Sequence, residues 1–540
     1  MLVHPENHGL EPASSFISFC IAISAVLHVS GYSSGPPNIL LLFPDQWRFD
    51  FDGRNSTNGP RGQLPSKENQ HLPLKLPNIR KLTREGTHFL HCYTPSPLCA
   101  PGRASVASGR DYDTAGVPDN TSNDYNISIP TFYTALRKAG YHVMTVGKDD
   151  LTKATQMGTK IHQGDWRGFY HQTELGFDGA LRCGGKLDVV STPEAPHERY
   201  GHWLQAQPPI TLDDGNNISA WDAHVRCVRR GNCSKESFPD RLYEDDWVAR
   251  DAIRMLRYKP SNRPWFLQVN FPGPHPPFLV TPSQHRLVDG QVFPPPVDNT
   301  EYYSPQECKS IRKPELSTID RCSYAAECEH LDKLFGLILD ELSRLGERDQ
   351  TIVCFSSDHG EMLGDHGFVG KLLPWQGSAS VPLICTGPGI RSNQVIHRAV
   401  STKDLAATFL DFAIRSSDSN DFTEMSFLPP PSTSKSLRKL LENGSDDFYH
   451  EFVHSGLLEW RMVVESMSGL KLVCCRGRCK RKNGSVVLSR QTHELLIFNT
   501  TNDPFDLHPL HEELPSDVIE RLQRALPKGF CNDAATINSL

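Results

Sequence analysis

The residues best equipped for chemistry gather in a few short segments. Cys99-Ala100-Pro101-Gly102-Arg103 runs into Ala104-Ser105-Val106-Ala107-Ser108-Gly109-Arg110, placing a thiol and a guanidinium at the head of a run of small residues. A cysteine there can be half of a disulfide, a buried thiol or a nucleophile, and the first two are the commoner fates in an exported chain. Asp45 and Gln46 follow the apolar run NILLLF, and Asp358 and His359 follow TIVCFSS. Such residues are either plain turn formers or groups presented to a crevice at the carboxyl ends of strands. Lys148 and Asp150 follow YHVMTVG, His275 stands in a Pro-rich loop after WFLQVNFPG, and Lys371 lies twelve residues beyond His359. Lone lysines of this kind are ordinarily solvated surface, and a histidine among prolines is ordinarily packed.

These positions can act together only if the runs before them are strands of one sheet. Short β-rich runs alternate with helical patterns from Pro36 onward, the pattern of a sheet covered on both faces by helices. Strands are expected at 38–43, 89–93, 141–146, 264–271, 351–355 and 381–385, and helices at 77–84, 130–139, 244–258, 319–345 and 403–412. The helix at 319–345 is the clearest, with Tyr324, Cys328, Leu331, Leu334, Ile338, Leu342 and Leu345 at three- and four-residue steps before Gly346. Residues 416–434 are rich in Ser, Pro and Asp. The expected organisation is therefore a leader at 1–34, a catalytic domain at 36–415, a linker at 416–444 and an antiparallel C-terminal unit at 445–540.

The 540 residues carry 56 Lys and Arg against 63 Asp and Glu, a net −7 that argues against a nucleic-acid coat and leaves any anionic partner to local cations. Residues 16–29 form an apolar stretch of signal-peptide length, too short to be a membrane span. Sequons at Asn55, Asn120, Asn126, Asn217, Asn232, Asn443, Asn483 and Asn499 agree with a glycosylated protein of the secretory pathway, lysosomal or secreted. The basic run from Arg476 to Lys482 is either a solvated hairpin or a contact for an anionic polysaccharide.

The Cys99–Arg103 segment resembles the type I sulfatase signature, in which the cysteine is oxidised to formylglycine before folding. The resemblance extends over most of 36–412 through the Asp52-Gly53-Arg54 turn, the Gly147-Lys148-Asp149-Asp150 run, Tyr302-Tyr303-Ser304, the helix bearing Cys322 and Cys328, SSDHGE and GPGI, and is nearest to the arylsulfatase K branch. It implies an alkaline phosphatase-like α/β sandwich with a large, mostly parallel mixed sheet and a small C-terminal antiparallel sheet. It also implies a formylglycine-generating enzyme as maturation partner, and one divalent ion, usually calcium, held by Asp45, Gln46, Asp358, His359 and residue 99. Arg103, Lys148, His275 and Lys371 would meet the sulfate, with Asp150 beside them. A hydrated aldehyde offers two hydroxyls on one carbon, one to displace the alcohol and one to release sulfate. The substrate implied is a sulfated small molecule or carbohydrate, in the nearest branch 2-O-sulfated glucuronate. This chain departs from the usual pattern with Gly102 for Ser, Gln46 for Asp, His359 for Asn and Asp150 for His.

Two rival readings remain. A phosphate or phosphonate ester hydrolase on the same scaffold would recruit Asp365 and His366 to a second metal, and a catalytically silent glycan-binding protein would leave Cys99 unconverted. Of fifteen cysteines, Cys20 falls in the leader and Cys99 in the signature, so thirteen remain and at least one is unpaired. Cys354 and Cys385, both within expected buried strands, are the expected free thiols.

Overall fold

The computed structural model describes residues 35–531 except 54–71, 153–171, 188–197, 213–214, 232, 234–237, 298–305, 309–319, 415–428, 430–431, 447–448, 477–480, 483–484, 487–492 and 511–513. The leader, three of the sequons (Asn55, Asn232 and Asn483), Tyr302-Tyr303-Ser304, most of the interdomain linker and most of the basic run lie outside the described residues.

Runs of β-branched and other apolar residues, almost wholly buried in the middle strands and partly exposed at the edges, build the central sheet, as expected of strands covered on both faces. Its strands are β1 (Asn38–Leu42), β2 (Thr87–Tyr93), β3 (His142–Gly147), β4 (Gly179–Arg182), β5 (Trp265–Asn270), β6 (Thr351–Ser356), β7 (Ser380–Thr386), β8 (Gln394–Ile396) and β9 (Val400–Ser401). The order is β8-β2-β7-β6-β1-β5-β3-β4, with β9 also on β2. Only β7 runs against its neighbours β6 and β2, so the carboxyl ends of β1, β2, β3, β5 and β6 share one edge.

The helices follow from the same pattern. α1 (Pro77–Glu85) starts on a proline, α2 (Cys99–Ser108) is buried throughout and stops at left-handed Gly109, and α3 is Phe132–Lys138. α4 (Glu244–Tyr258) and α5 (Arg321–Arg344) pack on one sheet face in an apolar layer with Leu40, Leu42, Leu267 and Phe355. α6 (Asp404–Ile414) lies on the opposite face with α2 and α3. The expected helix at 319–345 is α5, trimmed at each end, with its N-cap supplied by Asp320 accepting from Ser323.

The C-terminal sheet is an antiparallel meander of β10 (Phe452–Leu457), β11 (Trp460–Glu465), β12 (Leu470–Arg476) and β13 (His493–Asn499), followed by α7 (Ser516–Ala525). Alternation divides its side chains: Met462, Val464, Val473 and Phe498 join the apolar cluster under the large sheet, whereas Val463, Leu472 and Ile497 pack on Leu522 and Leu526.

One cysteine expectation is overturned. Cys354 and Cys385 are bonded to each other. They stand directly opposite in the antiparallel β6/β7 pair with Cα atoms 4.2 Å apart, so burial in adjacent strands brings the thiols together instead of isolating them. Cys308–Cys322 and Cys474–Cys531 are also bonded; Cys92, Cys99, Cys183, Cys227, Cys233 and Cys328 are buried free thiols.

Candidate active site

The shared strand edge gathers Asp45, Gln46, Cys99, Arg103, Lys148, Asp150, His275, Asp358, His359 and Lys371. After β1 the chain is drawn to the loop after β5 by the Asp45 amide, which donates to Phe271 O at 2.9 Å. Gln46 then adopts a left-handed φ of 69°, uncommon for a residue with a β-carbon. Its amide donates to Asp358 Oδ1 at 3.0 Å and its carbonyl accepts from Tyr324 Oη at 2.7 Å, which hold the strained turn. Lys148 follows β3 through Gly147, where an added Cβ would lie 1.9 Å from Asn270 O.

Cys99 opens α2, where the first-turn amides and the helix dipole favour an anion. The Ala100 amide is taken by Asn120 Oδ1 at 3.0 Å. The glycine at 102 has a steric cause: a Cβ there would sit 2.8 Å from Ser96 O and 3.0 Å from Asp358 O. The helix therefore packs closer to the strand-end loops than a serine allows.

Around Cys99 Sγ stand Lys371 Nζ at 3.0 Å, His359 Nε2 at 3.3 Å and Asp45 Oδ1 at 3.9 Å. Ligand atoms of Asp45, Cys99, Asp358 and His359 all lie within 4.8 Å of one another, and all four residues are buried. Gln46 Oε1 belongs to the same cluster, accepting from Lys371 Nζ at 2.8 Å. Arg103 Nε donates to Asp358 Oδ2 at 2.9 Å, and its Nη1 to Lys148 O at 2.7 Å and Asn270 Oδ1 at 2.9 Å. Lys148 Nζ bonds Asp45 Oδ2 and, at 2.6 Å, Asp150 Oδ2. His275 contacts Cys99 and turns Nδ1 toward Pro276 O.

The charges are mutually set. Burial alone would raise the Cys99 thiol, and Asp45 adds to that, yet Lys148, Lys371 and His359 hold it well below the ordinary thiol range. Burial likewise opposes ionisation of Asp45, but Lys148, His275, Lys371 and His359 depress it well below the usual carboxylate value. Burial would lower Lys148; Asp150, Asp45 and Cys99 raise it instead. His275 is lowered, first by burial and then by Lys371. The site thus holds anions and cations in contact in a largely buried cluster, where each interaction is stronger than in bulk water.

The donor set fits a divalent cation: two carboxylates, an amide oxygen, an imidazole nitrogen and the position of residue 99, converging from three chain segments. A second cluster with metal-ligand spacing is absent among the described residues. Asp365 pairs with Arg48 and Arg321, and His366 Nε2 bonds Phe505 O, so neither is directed to this site. Sequence reasoning overlooked Glu361, Asn270, Tyr324 and Asn120, which hold the site residues from behind. Glu361 adjoins the Asp358-His359-Gly360 segment, but nothing local marks Tyr324 or Asn120.

The fold and the site define a class before any relative is named: a mixed α/β sheet presenting a thiol at a helix start amid three acids (Asp45, Asp150, Asp358) and three cations (Arg103, Lys148, Lys371). The sulfatase family model matches residues 37–414. The chain belongs to the sulfatase family, enzymes that hydrolyse sulfate esters. It is 26% identical over 399 residues to an arylsulfatase of Clostridium perfringens, covering 70% of this chain and 75% of that protein. It is 28% identical to a choline-sulfatase of Rhizobium meliloti (71% and 68% covered) and 27% identical to arylsulfatase K of Canis lupus familiaris (70% and 63%). A protein solved in complex with its substrate D-glucosamine-2-N,6-O-disulfate superposes with a TM-score of 0.61 at 18% identity, covering 93% of this chain and 98% of the other. A phosphonate monoester hydrolase of Agrobacterium radiobacter gives 0.60 at 20% identity, with 89% and 93% covered. At these identities the structural likeness speaks to the fold.

Proposed function

We propose that this sulfatase works through formylglycine made from Cys99, with a divalent ion, calcium first among candidates, held by Asp45, Gln46, Asp358, His359 and residue 99. The observation that carries this reading is the placement of Cys99 Sγ within hydrogen-bonding reach of both Lys371 and His359, at the start of a buried helix. Bound there, the ion and the converted residue would supply a Lewis acid and an activated oxygen nucleophile.

The remaining steps belong to side chains. Lys148, Lys371 and Arg103 put fixed positive charge where a sulfuryl group is transferred, and the pocket's burial strengthens them. His275, kept neutral near pH 7 by burial and Lys371, orients the ester and is placed to exchange a proton with the leaving oxygen. Asp150 holds the Lys148 ammonium at 2.6 Å and so fixes where that charge points.

We further assign the enzyme to the oxidising secretory pathway, lysosomal or secreted, which the Cys308–Cys322, Cys354–Cys385 and Cys474–Cys531 bonds support. Conversion of Cys99 then requires a formylglycine-generating enzyme before folding, because the thiol is only 1% exposed in the folded chain. The substrate is a sulfated carbohydrate, with 2-O-sulfated glucuronate at a glycosaminoglycan end as the specific suggestion; similarity to arylsulfatase K motivates it.

Mass analysis of the peptide spanning Cys99, from protein made in an oxidising secretory host, tests the reading. An alkylatable thiol at Cys99 in active enzyme would refute it. The phosphonate hydrolase alternative, which shares the fold, predicts faster turnover of a phosphonate or phosphate ester than of the matching sulfate ester.

A further inference from the structure

One buried carboxylate behind the candidate metal ligands has no part in the chemistry described above. Glu361 is 2% exposed. Its Oε2 accepts from Gln46 Nε2, while its Oε1 accepts from the backbone amides of Leu363 (3.1 Å) and Gly370. Met362 N also donates to Gly370 O at 2.7 Å, which closes the base of the loop. Lys371 is the next residue, and its Nζ reaches Gln46 Oε1 at 2.8 Å and Cys99 Sγ at 3.0 Å.

A carboxamide has two nearly isosteric ends, and only its surroundings decide which faces the ligand. Glu361 Oε1 already accepts from the Leu363 and Gly370 amides, which fixes the carboxyl group with Oε2 turned to the Gln46 side chain as an acceptor. Glu361 therefore draws the NH2 of Gln46 to itself and leaves the oxygen facing Lys371 and Cys99. We infer that Glu361 is a positioning residue: it selects the metal-facing orientation of the Gln46 amide and, through Gly370, fixes where Lys371 enters the site. This rests on the proposed metal-dependent reading, and it adds a residue that does not itself touch substrate or ion.

The inference makes an unusual demand on substitutions. In Glu361→Gln, the new amide must keep its oxygen toward the Leu363 and Gly370 amides, so its NH2 meets the NH2 of Gln46. Donor faces donor, and Gln46 turns its own NH2 toward the ion. Adding Gln46→Glu restores a donor–acceptor pair, now with the amide behind and the carboxylate in front.

The experiment titrates calcium chloride, and in a second arm manganese chloride, into metal-stripped full-length protein by calorimetry, alongside sulfate-ester kinetics and a melting temperature for each variant. Glu361→Gln is expected to weaken ion affinity ten- to a hundredfold, the range usual for residues behind metal ligands, and to lower kcat more than it raises KM. The double variant Gln46→Glu with Glu361→Gln is expected to recover at least tenfold of the lost affinity. Affinity unchanged within twofold in Glu361→Gln, or a double variant no better than the single one, overturns the inference. Absence of calcium and manganese binding in the unaltered protein overturns the metal reading itself and is distinguishable because it needs no variant. If Glu361→Gln does not fold, the double variant carries the test: a folded double variant supports the pairing and an unfolded one overturns it.

Discussion

Glu329 on α5 offers a sharp test of how burial shapes this protein's stability. Its carboxyl is 5% exposed and lies beneath Gln291 Nε2 (3.0 Å) and the Lys75 amide (2.9 Å), both donating to Oε1. Burial raises it from the ordinary 4.5 to about 7, with those hydrogen bonds and the Lys75 charge only partly opposing the rise. The folded chain thus holds this proton more tightly than the unfolded chain. Its stabilising contribution is fully present below pH 4.5 and is lost as the pH climbs to about 7. At about 1.4 kcal/mol per pH unit, the loss reaches about 3 kcal/mol. Glu329→Gln keeps an oxygen for Lys75 and cannot ionise, so it should match the parent at pH 4.5 and exceed it at pH 8. With an unfolding entropy of roughly 1 kcal/mol/K for a chain of this size, the gain at pH 8 is about 3 °C in Tm. Scanning calorimetry of both proteins at pH 4.5 and pH 8 measures it. An equal Tm difference at the two pH values would show that the carboxyl does not carry a raised proton affinity in the fold. Glu327, raised to about 7, and Asp332, raised to about 6, both by burial, add to the same trend in the parent.

Other expectations follow from single contacts. Cys99→Ala should abolish sulfate-ester turnover while leaving the far-UV circular dichroism unchanged. Lys148→Ala and Lys371→Ala should each reduce kcat/KM by about a hundredfold or more, as measured with a chromogenic sulfate ester, since the first removes a buried charge and the second a half-buried one at the transfer site. Gly102→Ser should lower stability by about 1–3 kcal/mol, because its β-carbon meets Ser96 O at 2.8 Å; a denaturant titration with an unchanged midpoint would contradict that packing. Calcium at a hundred times its dissociation constant should raise unfolding free energy by about 2.7 kcal/mol, and chelation should reverse the gain.

Much of this protein is local in origin. Strand ends and helix starts could be read from apolar runs broken by Pro, Gly and Asp, so Asp45, Lys148, His275 and Asp358 were each legible as residues leaving a strand. The Cys99–Arg103 segment and the residues matching its family carried the class of chemistry, because covalent catalysis demands particular groups at fixed spacing. What the sequence left open needed partners far along the chain. Cys354 and Cys385 looked isolated by burial, and only the antiparallel placement of β7 beside β6 sets them face to face. Gly102 looked like an arbitrary departure until the approach of Ser96 O and Asp358 O gave it a cause. Gln46 offers either end of its amide to a ligand, and Glu361, 315 residues away, decides which. Periodicity and motif report what a residue can do within one turn or strand, whereas orientation and charge inside a buried site depend on contacts that only the folded chain creates.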